Sequence, residues 1–145
     1  MMDSMRIIDI KQASIESSSS LPLFVSSIAA GFPSPADDYV DKKLDLNELL
    51  IAQPAATFFV RVVGDSMQGA GISTGDLLVV DRSMQAVNGN IVVAIVQGEF
   101  TVKRLKKEGD KIFLIAENPS YRPIEINEES GFEVWGVVSY VIHPV

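Results

Sequence analysis

Downstream of Ala56 the chain is cut into short apolar runs by turn chemistry. Gly75-Asp76, Asn88-Gly89, Gly98-Glu99 and Gly109-Asp110 each interrupt it before a stable helix could form. Within the runs, β-branched and aromatic residues alternate or cluster. The expected strands are Thr57 to Val63, Leu77 to Asp81, Ile91 to Gln97, Phe100 to Lys106, Lys111 to Ala116 and a long final stretch from Phe132 to Ile142. Short strands joined by tight turns predict an all-β domain of small antiparallel sheets, and no internal repeat suggests a solenoid or propeller.

Upstream the composition changes. The first residues end in Ser17-Ser18-Ser19-Ser20, which cannot order itself by burial and reads as a mobile arm. Leu21 to Phe32 mixes large apolar with small residues, and Pro33-Ser34-Pro35 then forces extended chain. A partly apolar, extended segment calls for a groove. Asp45 to Ile51 reads as a short helix with Asp45 as N-cap, Glu48 three residues on and Pro54 closing it. The expected organisation is a flexible arm over 1–30, an extended linker with a short helix over 31–55, and a β-rich domain over 56–145.

Composition narrows the chemistry. A chain of 145 residues supports one ordinary core. A formal net charge of -7 disfavours a surface built to hold a phosphate backbone. With no cysteine and one histidine there is no thiolate nucleophile, and no metal or cofactor is expected. Leu21 to Phe32 is too short and too interrupted to span a membrane, and the residues before it are not basic as a secretory signal would be. A soluble, cytoplasmic protein is expected.

Two positions remain for catalysis. In Val63-Gly64-Asp65-Ser66-Met67, Gly64 permits a sharp turn at the end of the first domain strand. Such a turn aims a hydroxyl and neighbouring amides into one space, although a bare Gly-x-Ser is also a common turn. The only histidine, His143, sits three residues from the end and reads more naturally as a tail or edge-strand side chain than as a base. Lysine is the other base available. Period-two reading of Gly98 to Leu105 groups Thr101, Lys103 and Leu105 on one face. If that face turns inward, burial lowers the Lys103 pKa from ~10.4 towards 7; if it faces water, the lysine belongs to a solvated basic hairpin end. Composition leaves both readings open for Lys103 and assigns Arg104, Lys106 and Lys107 to the solvated end.

Taken in order, Gly64-Asp65-Ser66-Met67, Gly71-Ile72-Ser73-Thr74-Gly75-Asp76 and Glu99 to Leu105 resemble the self-cleaving LexA/UmuD superfamily of SOS-response proteins. Gly31 to Ala36, Tyr39-Val40, Asp45-Leu46-Asn47 and Ala116-Glu117-Asn118-Pro119-Ser120-Tyr121 are similar to UmuD and its plasmid-borne relatives, so the likeness spans about residues 21–143. The resemblance implies a LexA/signal-peptidase-like fold of small, strongly curved sheets with an extended N-terminal arm. It implies Ser66 as nucleophile, Lys103 as general base, and the backbone amides of Ser66 and Asp65 as oxyanion donors. The bond cut would be Ala30-Gly31, where UmuD itself has Cys-Gly. At up to ~3.3 Å per residue, the chain from Gly31 to Ser66 is long enough to return that bond to the serine.

The implied partners are a second copy of the chain, a RecA nucleoprotein filament that stimulates the cut, and a UmuC-like Y-family DNA polymerase, with the sliding clamp as a further candidate. The homodimer would involve Val134 to Val138, which reads either as a central core strand or as an edge awaiting a partner. No sequence-specific DNA binding is expected, since no helix-turn-helix pattern precedes Gly31. The alternatives are a non-catalytic interaction module and a LexA-like or phage repressor fragment without its DNA-binding domain.

Overall fold

The computed structural model describes residues 5–15, 20–24 and 40–145. In chain order the elements are β1 (Arg6–Gln12), β2 (Ser20–Phe24), β3 (Val40–Asp45), α1 (Leu46–Leu50), β4 (Thr57–Val63), β5 (Leu77–Asp81), β6 (Ile91–Val96), β7 (Glu99–Glu108), β8 (Lys111–Ile115), β9 (Ile124–Ile126) and β10 (Glu133–Ile142). The all-β expectation holds: the main body is one curled antiparallel sheet in the order β1-β4-β5-β10-β6-β7-β8-β9.

The chain divides into two compact units. Ser14–Ala52 forms one, containing the β2-β3 hairpin and α1. Asp45 caps α1 as the sequence predicts, its Oδ1 accepting from the Asn47 amide at 2.9 Å. The other unit combines Met1–Ala13 with Gln53–Val145. Where sequence reading assigns the first residues to a mobile arm, Arg6–Gln12 are an edge strand paired with β4 from Arg6↔Val63 to Gln12↔Phe58. The expected cleavage bond, Ala30-Gly31, and most of the serine run lie outside the described residues.

Two apolar clusters fill the main unit. One gathers Met5, Val60, Val62, Met67, Ile72, Leu78, Val80, Val93 and Val102. The other is built on Val92, Ala94, Leu105, Leu114 and Val137. Of the two readings of Val134 to Val138, the structure selects the central one, because β10 lies between β6, which it pairs over Glu133–Val137, and β5, which it pairs over Val137–Ile142. Bulges between Val134 and Gly136 and between Val138 and Tyr140 bend that strand and increase its twist. Beside the first bulge, Trp135 lies edge-on to Phe58 and Phe100 with the Arg82 guanidinium 4.5 Å above its ring. Among the described residues no helix is long and apolar enough to cross a membrane.

Candidate active site

Ser66 follows directly from how β4 ends. The strand stops at Val63, and Gly64 takes φ +121°, a region closed to residues with a Cβ, while its amide donates to Thr74 Oγ1 at 2.9 Å. The chain then turns so that Met67 enters the first apolar cluster, and the amides of Ala70 and Ile72 both bind the Met67 carbonyl. Ser66 is thereby drawn inside and is fully buried. Its Oγ accepts a hydrogen bond of 2.9 Å from the backbone N–H of Met5, which is itself fully buried.

Lys103 lies in the middle of β7 with 2% of its surface exposed, so the inward reading of its strand face is the one realised. Nζ donates to Thr101 Oγ1 at 2.7 Å and, more weakly, to the Val102 carbonyl at 3.4 Å. Thr101 is two residues back, where strand geometry places a side chain on the same face. Burial penalises the ammonium form and lowers the amine from 10.5 to about 8. Lys106 and Lys107 are exposed as expected, whereas Arg104 is half-buried, paired with Glu117 and donating to the Gly89 carbonyl.

Among the described residues Ser66 and Lys103 are not hydrogen-bonded to each other; the serine is engaged by Met5 and the lysine by Thr101. His143 is not a base for Ser66 in this arrangement. Its Nδ1 sits 2.5 Å from Oδ1 of Asp76, a buried carboxylate whose Oδ2 accepts from the Ser73 amide. Asp65 is held from outside: Tyr121 donates its hydroxyl to Asp65 Oδ1 at 2.6 Å, and Asn118 Nδ2 donates to the Asp65 carbonyl at 2.9 Å. Sequence reading of spacing alone does not find Met5, Thr101, Asn118 or Tyr121. Thr101 was within reach, since it shares the period-two face with Lys103. The contacts of the other three join positions more than fifty residues apart in the chain.

Comparison with known proteins supplies the remaining context. Residues 22–139 match the family model described as Peptidase S24-like. The chain belongs to that family. Among curated relatives, it is 50% identical to protein SamA of Salmonella typhimurium over 86% of each chain. It is 43% identical to protein MucA of Escherichia coli, over 87% of this chain and 88% of that one. A LexA repressor from Shewanella piezotolerans is 47% identical over 74% of this chain but only 51% of the repressor. The matches bear out the UmuD-like membership that the motifs imply.

Proposed function

We propose that the protein is a self-cleaving serine peptidase of the SOS response, in which Ser66 attacks the Ala30 carbonyl and Lys103 is the general base. The observation that carries this reading is the fully buried serine at the end of β4 together with a buried lysine whose amine is lowered to about 8, in a chain of the S24-like peptidase family. In the reaction the Ser66 proton passes to Lys103 Nζ as Oγ bonds to the Ala30 carbon. The C–N bond then breaks, and Nζ returns the proton to the amine of Gly31. In a second step water attacks the ester as Lys103 takes its proton, the Oγ–C bond breaks to free the Ala30 carboxyl, and Nζ returns the proton to Ser66 Oγ. The amides of Ser66 and Asp65 would steady the oxyanion, with Asp65 oriented by Tyr121 and Asn118.

The described arrangement is then a resting one, since the Met5 amide occupies Ser66 Oγ and must leave before a peptide carbonyl can approach. A RecA filament would stimulate the cut by favouring the state with residues 28–32 docked. The product beginning at Gly31 would serve as accessory subunit of a UmuC-like Y-family polymerase, as a homodimer and with the sliding clamp as a further partner. A second copy would meet β10 through side chains such as Tyr140 and Ile142, which are exposed and lie on the stretch paired only with β5. The same Met5–Ser66 contact favours the one competing reading, an interaction module whose serine is structural.

Incubation of the purified protein between pH 6 and 10, followed by mass spectrometry, separates the two. The peptidase reading expects a fragment starting at Gly31, absent from Ser66→Ala and Lys103→Ala. An intact wild type, or a fragment that persists in Ser66→Ala, would leave the interaction module.

A further inference from the structure

The strands that lead to the two proposed catalytic residues are not neighbours. β4, which ends at the Ser66 turn, and β7, which carries Lys103, are separated in the sheet by β5, β10 and β6. Each intervening strand pair contributes its own twist, so sheet geometry alone leaves the relative placement of hydroxyl and amine loosely determined. A second connection crosses that gap. It runs from β7 into its hairpin partner β8, and from there into residues 117–121, which reach back to the turn bearing Ser66.

The contacts are dense and of different kinds. The Gly69 amide donates to the Glu117 carbonyl at 2.7 Å. The approach is so close that a Cβ on Gly69 would lie 2.6 Å from that oxygen, a backbone atom that cannot swing aside. Asn118 Nδ2 binds the Asp65 carbonyl at 2.9 Å, while its Oδ1 accepts from the Ser120 amide at 2.9 Å and fixes the local turn. Tyr121 holds the Asp65 carboxylate. At the other end Glu117 pairs with Arg104, the residue following Lys103. The proposed nucleophile is thus flanked on both sides, at Asp65 and Gly69, by bonds to one short segment, and that segment is fastened to the strand of the proposed base.

We infer that Glu117, Asn118 and Tyr121 are positioning residues, forming a brace that sets the distance and orientation between Ser66 and Lys103. The inference rests on the Ser/Lys reading of the site. It extends a role to the whole of Glu117-Asn118-Pro119-Ser120-Tyr121, a segment of which the proposed chemistry uses only Asn118 and Tyr121, and those only to orient Asp65.

Asn118→Ser is the informative substitution: it stays neutral, keeps an oxygen for the Ser120 amide and loses the reach to Asp65. Self-cleavage of Asn118→Ser and Tyr121→Phe is measured across pH 6 to 10. Loss of orientation should lower the high-pH plateau rate by about three- to tenfold per residue, leaving the pH midpoint and the melting temperature at wild-type values. A wild-type plateau in both variants, or a midpoint that moves while the plateau holds, would overturn the brace. The second measurement does not depend on cleavage. In a Ser66→Ala background, hydrogen exchange of residues 64–70 should quicken when Asn118→Ser is added, and unchanged exchange would also overturn it. An uncut wild type with quickened exchange would count against the peptidase reading alone.

Discussion

Lys103, with 2% of its surface exposed, is expensive to keep protonated. Its amine titrates near 8 in the folded chain against 10.5 for an unperturbed lysine, so the folded state gives up its proton first as pH rises. Below pH 8 both folded and unfolded chains carry the charge and the whole penalty, about 3 kcal/mol, weighs on the fold. Between 8 and 10.5 the unfolded chain binds more protons, so rising pH stabilises the fold as far as this group is concerned. Lys103→Met removes the amine at similar volume. It should raise the melting temperature near neutral pH by several degrees, with a gain that shrinks above pH 8, measured by calorimetry over pH 6 to 10. Under the peptidase reading the same titration sets the rate. Self-cleavage should rise about tenfold per pH unit up to about 8 and then level off, and a flat profile would remove lysine as the base.

Local rules single out Ser66 and Lys103 as candidates, through a glycine before the serine and strand alternation around the lysine. Each keeps a second reading, however, and only the family resemblance implies their roles. The place of His143 was not legible, because its partner Asp76 is 67 positions away and no local period connects the two.

At the scale of elements, legibility depended on whether alternation survived. β4, β5, β6, β7 and β8 keep a regular register, and their runs are visible as strands. β1 is bulged between Ile7 and Asp9, so Ile7 and Ile10 both pack on the core although they are three residues apart, and the period-two signal is lost. β9 spans only Ile124–Ile126, too short for any pattern. β1 also bears on the proposed activity, because Met5 directly precedes it and its amide donates to Ser66 Oγ. Deleting residues 1–12 removes both strand and amide. Under the peptidase reading the shortened chain should cut faster than wild type at the same alkaline pH, followed by gel densitometry. A slower cut would mean that β1 shapes the groove instead of covering it.

For the whole molecule, fold class followed from turn spacing and pattern, while the joining of so many strands into one sheet did not, because strand order is set by long-range pairing that no short window contains. β10 shows the difference: as the last strand in the chain, it lies between β5 and β6. Long-range pairing also governs what cleavage would leave behind. Met1–Ala13 and Gln53–Val145 form one compact unit, although the proposed scissile bond lies between them in the chain. Size-exclusion chromatography after cleavage should find residues 1–30 co-eluting with the remainder at micromolar concentration and separating on dilution; immediate separation would mean that β1 detaches with the cut. Hydrolysis would therefore not by itself shed a peptide. It would turn an intramolecular ladder into a two-chain complex, whose smaller member can be exchanged for any other strand able to hydrogen-bond along Phe58–Val63.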